Sequence, residues 1–81
     1  MAEAVVLINV DIGREEDVFN KLLELNEVKE VYIVYGVHDI VAVIESPDMD
    51  SMRVLITQKI RKIEGVKSTT TSIVIKRQVK R

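Results

Sequence analysis

The residues that could do chemistry are few, and most of them fall in two short segments. The single histidine stands in Gly36-Val37-His38-Asp39. Imidazole is the side chain whose ordinary pKa lies nearest neutrality, so general acid–base work would fall to His38. No Ser-His-Asp order accompanies it, and a histidine in a short connector is an ordinary surface residue. There is no cysteine, which excludes disulfides and thiolate metal sites. No His, Asp and Glu set has metal-ligand spacing, and no glycine-rich phosphate loop is present. Neither a catalytic residue, a metal nor a cofactor is expected, and the chain does not read as an enzyme.

Two readings of Gly36-Val37-His38-Asp39 stand side by side. In one, Gly36 supplies a positive φ for a turn and Asp39 caps it with its side chain. In the other, backbone N–H groups near Gly36 bind a carboxylate and Asp39 binds an ammonium, so the turn holds a zwitterion. A charge-assisted bond of that kind contributes about 1.5–3 kcal/mol. The second segment, Thr69-Thr70-Thr71-Ser72, is either ordinary β-structure or a run of hydroxyl donors and acceptors on both faces of an edge strand. Asp48 and Asp50 read as helix caps. Glu15, Glu16 and Asp17 read as a solvated first helical turn.

The elements that position these residues follow from hydrophobic periodicity. Ala4–Val10 is rich in Val, Ile and Leu and reads as a strand. Val18, Phe19, Leu22, Leu23 and Leu25 have helical spacing within about residues 14–25. Val28–Tyr35 and Ile40–Ile44 are strands, joined so tightly that they must be antiparallel neighbours. Ser46-Pro47-Asp48 starts a helix whose apolar stripe is Met52, Leu55, Ile56, Ile60 and Ile63, and Gly65 stops it. Val66–Ile75 is the last strand, and Lys76–Arg81 is a polar tail. A weak internal repeat is visible, since each half ends in a strand that opens Val-Lys: Val28-Lys29 and Val66-Lys67.

The order β-α-β-β-α-β predicts one α+β, ferredoxin-like domain over residues 1–81, with a four-stranded antiparallel sheet and two helices on one face. The other face has no cover from the chain, yet its central strands do not alternate apolar with polar. Val5 and Leu7 oppose Val6, Ile8 and Val10, and Val41 and Val43 oppose Ile40, Ala42 and Ile44. A large apolar side chain left in water forgoes roughly 1.5–3 kcal/mol of burial. A homodimer that packs sheet on sheet is therefore expected. With 12 basic and 13 acidic residues, no global field gathers nucleic acid. No run approaches the ~20 apolar residues that span a bilayer. The N-terminus lacks the basic region of a signal peptide, so the chain reads as cytoplasmic.

The same residues carry a family resemblance. Val28-x-x-Val31-Tyr32-x-Val34-x-Gly36-x-x-Asp39-Ile40, followed by Ile63-x-Gly65-Val66-x-x-x-x-Thr71-Ser72-Ile73-Val74, resembles the effector-binding RAM domain of the Lrp/AsnC (feast/famine) transcription regulators. The resemblance covers nearly the whole chain. It implies a dimer through the open sheet faces, a ring of dimers, and an amino-acid effector bound where dimers meet. By that likeness Gly36, Val37, His38 and Asp39 line the effector site, with Thr69, Thr71 and Ser72 from the last strand or a neighbouring subunit. His38 stands where the family often has an aromatic residue. Family members usually carry a helix-turn-helix before this domain. The first strand here starts near Ala4, so the chain resembles a stand-alone form without direct nucleic-acid contact that co-assembles with full-length regulators. A purely structural assembly domain and the ACT domain, another amino-acid-binding module of this topology, are the alternatives. ACT domains commonly pair sheets side by side, which the apolar open face disfavours.

Overall fold

Residues 2–10 alternate between two environments. In a computed structural model of residues 1–81, strand β1 (Ala2–Val10) buries Ala4, Val6, Ile8 and Val10 on one side. It leaves Val5, Leu7 and Asn9 half-buried on the other. That is the two-residue period of a strand with unlike faces. The chain continues through α1 (Glu15–Leu23), β2 (Val28–Ile33), β3 (Ile40–Ser46), α2 (Met49–Val54) and β4 (Val66–Ile73). The sheet order is β2-β3-β1-β4 with every pair antiparallel, so β1 and β3 form the centre. This is the ferredoxin-like α+β fold read from the sequence. Val18 and Leu22 of α1, Met52 and Leu55 of the second helix, and Ile60 close the core over the buried side of β1 and β3.

The helices differ from expectation where local chemistry overrides the simple stripe. Leu23 is 56% exposed, because the core-facing arc is already filled by Val18, Leu22 and half-buried Phe19. Helix α2 begins as expected: Asp48 caps it, its Oδ1 accepting from the Ser51 N–H at 2.7 Å. That backbone bond, reinforced by the Ser51 side chain, holds the Asp48 carboxyl below its ordinary pKa. From Leu55 to Ile60 the helix widens into a π-helical segment, with the Arg61 N–H bonded to the Ile56 carbonyl at 2.9 Å. The wider turn has a reason in the sequence. Leu55 and Ile60 are five residues apart, and a π turn brings both onto the core face.

The strands are also shorter or longer than read. Val34–Tyr35 and Val74–Ile75 lie outside β2 and β4, and β3 extends to Ser46. The internal repeat is structural. Leu22, Leu25 and Val28 are linked by N–H···O bonds in the same three-residue steps as Ile60, Ile63 and Val66, each 3.1–3.2 Å. Pairing then skips one residue in each half: Lys29 falls between Val28 and Glu30 of β2, and Lys67 between Val66 and Ser68 of β4. The two Val-Lys openings are thus two bulges, one at each edge strand.

On the open face, Val5 and Leu7 pair across to Val43 and Val41, and Tyr32 of β2 sits beside Val41. These central aliphatic side chains are half-buried among themselves, and the buried helix residues all belong to the opposite side. Residues 75–81 are exposed, and Arg77 reaches this face only at a corner, 3.3 Å from Glu3. No helix is long and apolar enough to cross a membrane.

Candidate functional site

The connection between β2 and β3 is held by backbone bonds at both ends. The Val34 N–H donates to the Asp39 carbonyl at 2.9 Å, and the Asp39 N–H donates to the Ile8 carbonyl at 3.0 Å. The second bond ties the turn to the end of β1. Asp39 tightens that tie with its side chain: Oδ2 accepts from the Val10 N–H at 2.9 Å. The other carboxylate oxygen has no hydrogen-bond partner in the chain. Asp39 is therefore a clamp on β1 with one acceptor to spare.

Between those ties, the N–H groups of Tyr35, Gly36, Val37 and His38 bond to nothing within the chain. Tyr35, Gly36 and Val37 are exposed. The expectation that Gly36 supplies a positive φ is not met, because only Gly13 and Gly65 have positive φ. A Cβ at Gly36 would also meet no atom within 4 Å. Nothing in the folded chain requires glycine at 36, whereas close approach from outside would.

His38 is anchored on the open-face side. Its Nδ1 lies 3.3 Å from Asn9 Oδ1, and Asn9 Nδ2 donates to Ser68 Oγ at 3.3 Å. Asn9 and Ser68 are register partners in β1 and β4, so Ser68, Asn9 and His38 form a polar row across one end of the open face. Sequence reasoning missed Asn9 and Ser68. The available signal was a lone amide at the last outward position of an otherwise aliphatic strand.

The last-strand hydroxyls do not gather at this end. Thr69 pairs with Ile8 and Thr71 with Val6, which places both on the helix side of the sheet. Ser72 pairs with Val5 on the open face. It lies four residues along β1 from Asn9, roughly 13 Å away. Gly36, Val37, His38 and Asp39 are together, Thr69 is at the same end beyond β1, and Thr71 and Ser72 lie farther along on opposite faces. The larger concave spaces of the chain are elsewhere. A groove of about 430 Å³ is walled by Met1, Met49, Ile73 and Ile75, and one of about 420 Å³ by Arg14, Lys21 and Lys62. Within one chain the turn is open surface. No group of three or more His, Cys, Asp or Glu is placed to hold a metal ion. Tyr32, also on the open face, donates to Glu30 Oε1 at 2.7 Å, and that carboxylate pushes the Tyr32 pKa up.

Residues 3–81 match the family model described as the Lrp/AsnC ligand binding domain. Among curated proteins, the chain is 39% identical over 70 residues to an HTH-type transcriptional regulator of Pyrococcus furiosus, covering 86% of this chain and 47% of that protein. The chain spans about half the length of the curated relatives it matches. The solved structure of FFRP-DM1 superposes with a TM-score of 0.90 at 39% identity, covering 93% of this chain and all of that one. The AsnC protein of E. coli superposes with a TM-score of 0.91 at 25% identity, covering 99% of this chain and 54% of that one. A strand–turn–strand fixed by Asp39, a doubled β-α-β frame and a family match over nearly every residue agree, and the chain belongs to the Lrp/AsnC ligand-binding-domain family of transcription regulators.

Proposed function

We propose that this chain senses an amino acid at the Gly36–Asp39 turn, within an assembly of copies built through the open sheet faces. One observation carries the reading. The unpaired N–H groups of Tyr35 to His38 and the spare carboxylate oxygen of Asp39 belong to one short turn. Successive backbone donors suit an α-carboxylate, and an ionised carboxylate suits an α-ammonium. Support comes from a feast or famine regulatory protein of M. tuberculosis complexed with L-methionine, which shares this fold with a TM-score of 0.84 at 23% identity.

The turn is open in one chain, so a neighbouring copy is needed to enclose a ligand. In this reading dimers meet in a ring at the turns, and Thr69, Thr71 and Ser72 contribute from the neighbouring subunit. The same surfaces allow co-assembly with full-length regulators that carry this domain. A ligand of about ten heavy atoms, at ~0.3–0.7 kcal/mol per atom, binds in the millimolar-to-micromolar range.

The Asp39–Val10 bond favours a second reading, in which the turn is purely structural and the domain only assembles. Asp39→Asn separates the two, because it keeps the oxygen that accepts from Val10 and removes the charge. Calorimetry with the twenty amino acids is expected to show binding of at least one to the wild type. That binding falls at least about tenfold in Asp39→Asn, the loss of a charged hydrogen bond. Absence of heat with every amino acid at millimolar concentration would leave the structural reading.

A further inference from the structure

The last six residues, Lys76–Arg81, hold four of the 12 basic residues and no acidic one, so residues 1–75 hold eight against 13 acidic. The tail is a cationic segment on an acidic body. Its root is fixed at one corner of the sheet: the Val74 N–H donates to the Glu3 carbonyl at 2.9 Å, and Arg77 reaches the Glu3 carboxylate at 3.3 Å. Residues 78–81 are exposed and make no ion pair.

The same end of the open face is acidic. Glu3 and Glu45 are register partners in β1 and β3, and both alternate with buried residues, so their carboxylates share that face. Like charges directly across a strand pair repel. Arg77 answers Glu3, whereas half-buried Glu45 has no ion pair. Lys29 and Glu45 line one hollow of about 320 Å³, yet the Lys29 Nζ donates to the Asn26 carbonyl at 3.3 Å. Glu45 follows Val43 on the face that the proposed assembly covers. Taking an unpaired carboxylate out of water is costly, so that assembly needs a cation at Glu45.

We infer that the tail of a second copy supplies it, with Lys80 and Arg81 docking beside Glu45 of the partner subunit. The inference rests on the proposed sheet-on-sheet assembly and adds which way round the two faces meet. A two-fold axis along the strands reverses the order β2-β3-β1-β4, laying β4 of one copy over β2 of the other with like ends together. The tail root of one copy then stands over the Glu45 side of its partner. Arg77 to Arg81 spans up to ~13 Å, enough to cross the ~10 Å between packed sheets. An axis across the strands instead sets each tail over their far ends, roughly 25 Å from Glu45. Nucleic acid is the poorer occupant, because the acidic body repels a polyanion.

Charge swapping tests the contact. Lys80→Glu with Arg81→Glu keeps Arg77 on Glu3, and Glu45→Lys relieves the repulsion from Glu3; all three sites lie outside the core, and circular dichroism checks the fold. By sedimentation equilibrium at low ionic strength, each variant alone is expected to dimerise about tenfold more weakly than the wild type, since like charges meet at two symmetric sites. An equimolar mixture of the two is expected to associate within about threefold of the wild type, because each tail then meets its opposite charge across the interface. Variants that stay weak when mixed mean that each tail serves its own Glu45, which overturns the inference. Unchanged association of either variant alone overturns it too, as does binding of a random DNA duplex at physiological salt that the Lys80→Glu/Arg81→Glu change abolishes. Those outcomes leave the sheet-on-sheet assembly standing. A wild type that stays a single chain removes the assembly and the inference together.

Discussion

A methyl group on Gly65 would sit 3.0 Å from Arg14 Cβ and 3.1 Å from Val18 Cγ2, on a backbone with φ +101°. Gly65→Ala is therefore expected to destabilise the fold by about 1–3 kcal/mol, measured by urea unfolding. Gly36 is the contrast, with no positive φ and no atom near its missing Cβ. Gly36→Ala is expected to change stability by less than ~1 kcal/mol, yet to weaken amino-acid binding by crowding the unpaired N–H groups. Equal loss of stability in both variants would contradict this division. Two carboxylates contribute to the acid sensitivity of the fold. Glu27 lies below its ordinary pKa of 4.5, chiefly through a hydrogen bond from its own backbone N–H and then through Lys59 at 3.2 Å. Asp48 lies below its ordinary 3.8 through the Ser51 N–H. A lowered folded pKa gives stability that is complete above the ordinary value and is lost as pH falls through the folded one. The melting temperature should hold down to about pH 4.5 and decline below it, and Asp48→Ala should remove part of that decline. A flat profile from pH 5 to 3 would remove both roles.

At the scale of elements, two halves repeat one device. A helix ends, two three-residue steps follow, and a Val-Lys pair opens an edge strand with a bulge. The repeat was legible because Val28-Lys29 and Val66-Lys67 look alike, but the bulges were not. A bulge is a pairing property, and it depends on which residues of β3 and β1 lie opposite. The fold class and strand order were legible for a physical reason: β1 and β3 are apolar on both faces, which only central strands tolerate. The π-helical segment was not legible, because Ile56, Ile60 and Ile63 keep α-helical spacing in the sequence. Ile60 is fully buried and Lys59 is not. Ile60→Ala is expected to cost about 2–5 kcal/mol. Lys59→Ala is expected to cost below ~1 kcal/mol, the scale of its partly exposed pair with Glu27. Comparable losses by denaturant titration would mean that the helix does not widen there. The candidate site was legible only as the turn itself. Asn9 and Ser68 join it through hydrogen bonds between strands 59 residues apart in sequence, which no local pattern encodes.

One sheet face is packed by the helices, and the chain leaves the other uncovered. Val5, Leu7, Val41 and Val43 form an aliphatic centre on that second face, ringed by Asn9, Ser68, Tyr32 and Glu30. An apolar core with a polar rim is the anatomy of a protein–protein contact. Leu7→Lys is expected to reduce the sedimenting mass to that of the 9.2 kDa chain while leaving the circular dichroism spectrum intact. A wild type that already sediments as a single chain at micromolar concentration would contradict the assembly. The sensing proposal depends on that assembly, because the Gly36–Asp39 turn is open until another copy closes it. The most direct measurement is a crystal structure of the protein grown with a mixture of the twenty amino acids. The account predicts one amino acid at a boundary between copies. Its carboxylate should lie on the N–H groups of Tyr35 to His38 and its ammonium on Asp39. Turns left in solvent with no ligand, or a ligand bound away from Asp39, would contradict it.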